Sequence, residues 1–196
     1  DIIKSMIRTK LGFSERIMAR QCKIAEISKK EAEDFHLKSH LSGYTNSSVN
    51  IGLFKNDELV SVLSFIKSRF DKKYEYEISR FSSKLNTVVV GGLSRLFKFF
   101  CRKYKPSSIM TYVDLRVGQG SSYEKIGFKF EKNTVPNYWY FDPSKGELES
   151  RMKYQKNKIK TFQNYTPSST EFEIMEGAGY YRIYDCGNRK FSWVSN

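Results

Sequence analysis

The chain contains 196 residues, a length that suits one sizeable domain with appendages. Hydrophobic residues make up 39% of the sequence and aromatic residues 15%, which excludes a chain that is disordered throughout. The formal net charge of +13 is unusual for an enzyme of small molecules, and it favours a polyanionic partner, most simply a nucleic acid.

The three cysteines are far apart in the sequence and form neither a CxxC pair nor a zinc-binding spacing. We therefore expect no metal site, and a reducing compartment such as the cytoplasm. The sequence contains no lipidation signal and no long apolar run, so we expect no membrane partner.

Residues 1–22 predict a basic helical leader. Apolar residues at helical spacing give a first helix, Leu11-Gly12-Phe13 interrupts it, and a second short helix is expected to follow. Arg16 and Arg20 in that second helix are candidate phosphate contacts. Two alternatives stay open, because such a leader also suits packing on its own domain or on a domain that precedes it.

The next segment predicts a strand, a helix and a hairpin. Lys23–Ile27 alternates like a strand, and Ser28 with Glu31 forms a capping box that opens a helix. Residues 49–54 and 59–66 predict two strands that are joined by a short polar turn.

The alternating stretch from Tyr74 to Phe81 predicts another strand, with Glu75 and Glu77 on one face. Either carboxylate would act as a general base if burial raised its pKa. The ordinary alternative is a solvated strand face.

The stretch from Val88 to Phe128 organises the rest of the chain. A β-branched run stops at Gly91-Gly92, where an amphipathic helix begins with Arg95, Lys98 and Arg102 on its polar side. Free N–H groups and the helix dipole make this turn a candidate anion site, for a cofactor pyrophosphate or a nucleic-acid phosphate. The alternative is a tight strand-to-helix turn without a ligand. A buried strand over residues 109–113 and a short helix over residues 121–126 follow.

This order of elements, with YEKIGF near its end, resembles the GNAT acyltransferase superfamily over residues 23–142. The resemblance implies an α/β (α+β) fold with a mixed, mostly antiparallel sheet and flanking helices. It also implies that the backbone of Gly91, Gly92 and Leu93 would hold the acetyl-CoA pyrophosphate, that Glu75 or Glu77 would act as base, and that Tyr123 would act as general acid. The loop departs from the family pattern, because a valine takes the place of its first Gln or Arg.

The C-terminal region predicts a basic helix followed by a β-hairpin appendage. The basic residues of this helix are candidate DNA-backbone contacts, and a solvated linker helix is the alternative. They are Arg151, Lys153, Lys156, Lys158 and Lys160. Residues 180–184 and 190–194 predict the two strands of an aromatic hairpin, which would either stack on bases or dock on the domain.

Several blocks together, among them GLFKNDELVSVLSFIKSRF, YEISRF, GGLSRLFKFF and GYYRIYDCGNRKFSW, are similar to the C-terminal region of phage-encoded homing-type endonucleases. That resemblance implies double-stranded DNA as partner, a nuclease domain upstream and a location in the cytoplasm of the phage's host cell. The expected organisation is a leader over residues 1–22, a GNAT-like domain over 23–146 and an appendage over 147–196. We therefore predict a DNA-binding or target-recognition region without its own nuclease centre and without a cofactor. The alternative is a self-sufficient N-acyltransferase that uses acetyl-CoA.

Overall fold

The computed structural model describes residues 1–68 and 71–195, which form two compact units. Unit 1 consists of residues 1–113, 120–132 and those from Lys190 onward, and unit 2 consists of residues 114–119 and 133–189. Unit 2 is thus inserted in the sequence of unit 1. The domain boundaries that we expected at residues 22 and 146 divide the chain differently, and they stay a prediction.

The described residues form twelve strands and five α-helices. The strands are β1 (Glu15–Met18), β2 (Lys23–Glu26), β3 (Val49–Lys55), β4 (Glu58–Lys67), β5 (Tyr76–Ser83), β6 (Thr87–Val90), β7 (Ser108–Asp114), β8 (Lys129–Asn133), β9 (Tyr138–Asp142), β10 (Glu147–Ser150), β11 (Tyr181–Tyr184) and β12 (Asn188–Val194). The helices are α1 (Ile2–Lys10), α2 (Lys29–Ser39), α3 (Gly92–Tyr104), α4 (Ser121–Glu124) and α5 (Glu171–Gly177), with short 3-10 turns at Ala19–Gln21 and Arg151–Lys153. None of the helices in the described ranges is long and apolar enough to cross a membrane.

Unit 1 is built on a seven-stranded sheet with the order β2-β3-β4-β5-β7-β12-β8. Strands β2 to β5 pair in antiparallel fashion, and β5 pairs with β7 in parallel. The predicted α/β class with a mixed, mostly antiparallel sheet and flanking helices is confirmed. The sheet is completed by β12, which is the strand that follows unit 2 in the sequence.

Local sequence signals determine the turns and helix ends of unit 1. Asn56 and Asp57 both have positive φ, so they form the tight turn between β3 and β4 whose twist matches the strands. Ser28 and Glu31 form the expected capping box at the start of α2. These short-range signals are readable without any knowledge of the fold.

The core of unit 1 lies between the sheet and the apolar face of α3. Leu93, Leu96, Phe97 and Phe100 of this helix are buried, and the ring of Phe100 stacks on Phe65 with centroids 3.6 Å apart. Full burial of each such side chain contributes about 1.5–3 kcal/mol. This packing fixes α3 on one face of the sheet.

The second short helix that we expected in the leader is not formed. The segment after α1 is instead strand β1, which pairs in parallel with β6 from Glu15↔Thr87 to Met18↔Val90. The physical reason is tertiary: the β-branched run of β6 provides a pairing edge, and Ile17 of β1 is buried in the core.

Unit 2 contains a three-stranded antiparallel sheet with the order β10-β9-β11 and a separate core. Tyr140, Tyr154, Ile159, Ile174 and Met175 are its buried members. The predicted basic helix after residue 147 is wrong in its secondary structure, since the segment forms β10, a 3-10 turn and irregular turns. Burial of Tyr154 and Ile159 in this core outweighs the helical tendency of the charged residues between them.

The predicted C-terminal hairpin is also not formed. Its two strands belong to different sheets, since β11 pairs with the aromatic strand β9 and β12 lies between β7 and β8. Phe191 and Trp193 of β12 pack into the core of unit 1, so they are not part of an exposed aromatic surface.

Candidate functional site

The two central parallel strands of unit 1 separate along their length. β5 and β7 are paired at three positions, Tyr76↔Ile109, Glu77↔Met110 and Ile78↔Thr111. Both strands continue past this point, and within the described residues the register shows no further pairs between them. The β4–β5 register also shifts next to this point, where Ser79 is skipped. Such a bulge bends β5 at the position where its pairing with β7 ends, and we call the region beyond Ile78 the opening.

The glycine turn lies at the N-terminus of α3. Gly91 has a φ of +77°, which favours glycine, and a Cβ on Gly92 would lie 3.2 Å from Cγ1 of Val89. The first-turn N–H groups of α3 have no partners within a helix, and the helix dipole favours an anion there. Arg95 donates from Nη1 to the Ala19 carbonyl at 2.6 Å, which ties this helix end to the turn that follows β1.

Tyr123 is the residue that the structure places at the beginning of the opening. Thr111, whose Oγ1 donates to the Ile78 carbonyl at 3.3 Å, lies near the Tyr123 hydroxyl. Burial raises the pKa of Tyr123 to about 12, although the neighbouring Thr111 hydroxyl acts in the opposite direction. The phenol therefore stays protonated at neutral pH and is able to donate a proton.

Gly120 holds Tyr123 in position. It precedes α4 with a φ of +86°, and a Cβ there would overlap the ring of Phe191. The Tyr123 ring packs against Phe128 and Phe191, with centroid distances of 5.6 and 6.4 Å. Neither Thr111 nor Gly120 belongs to a recognisable sequence motif, so the sequence alone does not indicate their roles.

The two glutamates that we proposed as bases lie in different environments. Glu75 precedes β5 and accepts hydrogen bonds from the Ser107 N–H at 2.8 Å and from Lys67 at 3.0 Å. These contacts, the Ser107 backbone first, lower the pKa of Glu75 and make it a weaker base. Glu75 thus connects the residues that precede β5 with Ser107, which precedes β7.

Glu77 is half-buried within β5 and lies one position before the opening. Strand β7, which pairs with β5, carries Tyr112. Burial raises the pKa of Tyr112, and the negative charge of Glu77 raises it further. Tyr76 and Ile78 on either side of Glu77 belong to the α3 core, so alternation places Glu77 on the opposite face of the sheet. Of the two glutamates, Glu77 is the better placed candidate base.

The candidate phosphate contacts of unit 1 occur on connected elements. Lys98 and Arg102 are exposed on α3, while Arg95 is half-buried by its bond to Ala19. Arg16 and Arg20 are exposed on β1 and on the turn after it. Because β1 pairs with β6 and β6 runs into α3, these elements adjoin one another.

The candidate contacts of unit 2 are exposed, and four of the five have partners within that unit. Lys153 pairs with Glu149 at 3.1 Å, and the guanidinium of Arg151 lies 5.1 Å from the Tyr138 ring centre. Lys156 and Lys158 donate to the backbone carbonyls of Pro167 and Met152, each at 2.7 Å, and Lys160 is exposed. Most of these side chains are thus engaged within unit 2.

Unit 1 contains a buried lysine, Lys190, that no sequence motif indicates. Lys190 of β12 forms ion pairs with Asp71 at 2.8 Å and with Glu131 at 3.0 Å, and Glu131 also accepts a hydrogen bond from Tyr74. These partners are distant in sequence, so no local signal predicts the cluster. Among the described residues no group of three or more potential ligands could hold a metal ion.

Comparison with known proteins identifies the fold. No protein-family model matches the sequence, and no curated protein matches it either. Among solved structures, the chain is similar to an acetyltransferase of Bacillus subtilis in complex with CoA, with a TM-score of 0.53 and 14% identity over 89% of this chain and 99% of that chain. An IAA acetyltransferase of Bacillus cereus matches with a TM-score of 0.51 and 15% identity over 89% and 99% of the two chains. Spermidine/spermine N-acetyltransferase SpeG of Vibrio cholerae, in complex with manganese ions, matches with a TM-score of 0.51 and 9% identity over 90% and 94%.

These similarities establish that the chain has the fold of GNAT acetyltransferases, as the order of the elements predicted. At such low identity the likeness concerns the fold alone. The narrower similarity to phage endonucleases, the DNA partner and the individual site residues stay predictions.

Proposed function

Starting from this acetyltransferase fold, we propose that the protein is an N-acyltransferase that uses acetyl-CoA. The observation that carries the proposal is the end of the β5–β7 pairing directly beyond the Ile78↔Thr111 pair, with the phenol of Tyr123 near Thr111 at that point. Parallel strands that part at their carboxyl ends leave a cleft, and ligands of α/β sheets bind at such positions. The protonated phenol supplies a proton donor beside that cleft.

The residues present fit an extended anionic thioester cofactor. The N-terminus of α3 directly follows β6, and its first-turn N–H groups have no partners within the helix, so they suit an anionic phosphate. Gly91, Gly92 and the N–H of Leu93 would bind the pyrophosphate. Neither Val88 nor Val89 provides the polar side chain that the family pattern has in this loop, so we expect weak binding that depends on backbone contacts.

Each side chain would have a separate role in acyl transfer. Acetyl-CoA, when bound, supplies an acyl group that is activated as a thioester. Tyr123 would donate a proton to the departing sulfur, and its raised pKa keeps that proton available at neutral pH. Glu77 would accept a proton from the attacking amine from the other face of the sheet.

Calorimetric titration with acetyl-CoA tests this proposal, with thermal denaturation as a second readout. A ligand that binds only the folded state raises Tm, so we expect an increase at millimolar acetyl-CoA. Tyr123→Phe should retain this increase but transfer acetyl groups to a panel of amines at least 100-fold more slowly, because it lacks the acidic proton. Absence of both heat and Tm change at millimolar ligand would exclude the acyltransferase.

A second candidate function is binding of double-stranded DNA, as the target-recognition region of a phage homing-type endonuclease. The charge distribution favours it. Unit 2 has nine Lys and Arg residues against eight Asp and Glu, a net charge of +1, and the other 25 basic and 13 acidic residues give unit 1 a net charge of +12. Charge that is concentrated in one unit is typical of a surface for a polyanion.

A gel-shift titration with duplex DNA at 50 and 200 mM salt tests the second candidate. Contacts with about six phosphates would weaken binding by roughly 1,000-fold between these concentrations. Addition of acetyl-CoA separates the two candidates, because a DNA-recognition region without a cofactor site would show the same affinity with and without it. Binding that does not depend on salt would contradict the DNA-binding proposal.

A further inference from the structure

Helix α1 presents its apolar side chains to solvent. Ile3, Ile7 and Leu11 are 61, 54 and 64% exposed, and Phe13, just beyond the helix, is 67% exposed. The buried residue of α1 is instead the polar Ser5, whose Oγ accepts a hydrogen bond from the Asn86 N–H at 2.7 Å. An ordinary surface helix turns its apolar side inward, so these four exposed residues, the α1 stripe, mark a surface for a partner.

Positive charge borders the α1 stripe on both sides. At about 100° per residue, Ile3, Ile7 and Leu11 share one face of the helix. Lys4 and Arg8 flank it on one side, Lys10 flanks it on the other, and all three are exposed. No acidic residue occurs between Ile2 and Lys10. A partner of this face must therefore be anionic and must offer apolar surface to the stripe.

The positive charge continues along the elements that adjoin α1. The helix leads into β1, which carries the exposed Arg16, and Arg20 follows in the next turn. β1 pairs with β6, which runs into α3 with its exposed Lys98 and Arg102. The hydrogen bond from the Asn86 N–H to Ser5 also ties α1 to the residue that precedes β6. Exposed cations thus occur on three connected elements, and several cations in one region suit the repeating phosphates of a nucleic-acid duplex.

We propose that the α1 stripe inserts into the minor groove of duplex DNA and partly unstacks a base step, while Lys4, Arg8 and Lys10 contact the phosphates on either side. Apolar wedges beside basic residues bend DNA in this way. The inference rests on the second candidate function and adds to it a contact element, a groove and a deformation of the DNA. A lipid surface would also bind the apolar α1 stripe, but it would not account for the exposed cations on β1 and α3.

The test uses a 30-base-pair duplex with 2-aminopurine at successive steps and a fluorophore pair on its ends. The full chain should raise 2-aminopurine fluorescence at one or more steps and shorten the distance between the duplex ends. The double variant Ile3→Gln/Ile7→Gln removes only solvent-exposed side chains, so it should fold normally. We expect it to bind about 10-fold more weakly, with no fluorescence change or bending, and with the same salt dependence as the wild type.

A charge variant provides the matched control. Lys4→Gln/Arg8→Gln keeps the stripe. It should make the negative slope of log K against log salt shallower by about 2, because each lost phosphate contact contributes about 0.9. If the Ile3→Gln/Ile7→Gln variant binds and bends DNA like the wild type, the wedge is excluded while DNA binding stands. If the wild type does not bind duplex DNA at 50 mM salt, the second candidate function itself fails.

Vesicles that contain 30% phosphatidylserine in phosphatidylcholine distinguish the other anionic partner. We expect no co-sedimentation that depends on Ile3 and Ile7. Vesicle binding that the double variant loses, together with unchanged DNA binding, would assign the stripe to a lipid surface and overturn the proposal.

Discussion

His36 is a fully buried histidine whose hydrogen bonds determine its charge state. Asn50 Oδ1 accepts hydrogen bonds from the hydroxyls of Ser47 and Ser64, at 2.7 and 2.6 Å. Because the Ser64 hydroxyl donates its only proton to Asn50, its oxygen accepts a hydrogen bond from His36 Nε2–H at 2.8 Å. The other ring nitrogen, Nδ1, accepts from Ser82 at 2.9 Å, so the imidazole is neutral with both nitrogens paired. Burial lowers the pKa of His36 to about 3.

This neutral histidine predicts a loss of stability in mild acid. Below pH 6.5 the unfolded chain takes up a proton on His36 and the folded chain does not, until the pH reaches about 3. The free energy of unfolding should therefore fall by about 2 kcal/mol between pH 6.5 and pH 5 through this residue. Urea denaturation at several pH values measures it, with His36→Gln as the control, since Gln keeps a donor and an acceptor but does not titrate. Equal losses in both proteins, or an imidazole that NMR shows to be charged at pH 5, would contradict this assignment.

Gly120 predicts a large effect from one added methyl group. Gly120→Ala combines a positive φ with overlap between Cβ and the Phe191 ring, so we expect it to cost about 3 kcal/mol of unfolding free energy. Gly118→Ala is the matched control, because no atom lies within 4 Å of its added Cβ. Thermal denaturation should show a clear decrease of Tm for the first variant and little change for the second. Similar Tm values would mean that Phe191 moves aside without cost.

At the scale of elements, local signals predicted what local forces determine. The capping box at Ser28 and the turn at Asn56-Asp57 occur where the sequence places them. The predictions that were wrong are those that depend on which strands pair with each other. β1 becomes a strand because β6 is available, and β11 and β12 pair in different sheets because β9 and β7 are their neighbours. Pairing over such distances leaves no short-range trace in a single sequence.

The capping box of α2 gives a prediction at this scale. Ser28 Oγ accepts from the Glu31 N–H at 3.2 Å, and the Glu31 carboxylate accepts from the Ser28 N–H at 2.8 Å. Ser28→Ala should lower the free energy of unfolding by about 1 kcal/mol, whereas Ser28→Asp should retain most of it, because Asp also caps. Chemical denaturation of the three proteins measures the difference. An Ala variant as stable as the wild type would show that tertiary packing alone holds this helix end.

At the scale of the whole molecule, the sequence predicted the fold better than the site. Tyr123 and the Gly91-Gly92 turn were visible as motifs, and the structure adds what only folding reveals: the end of the β5–β7 pairing and the role of Thr111. Composition showed the charge excess but not its concentration in unit 1. The basic run of residues 151–160 was a plausible DNA contact by sequence, yet most of its side chains bind partners within unit 2.

This asymmetry of charge predicts where DNA binding loses its salt dependence. Lys98→Gln/Arg102→Gln removes two exposed cations from unit 1, and it should make the negative slope of log K against log salt shallower by about 2. Lys156→Gln/Lys160→Gln removes the same charge from unit 2 and should leave the slope unchanged, because that unit has a net charge of only +1. Equal decreases in both variants would mean that attraction depends on total charge alone. A decrease only in the unit 2 variant would move the DNA-binding surface to the basic run after β10.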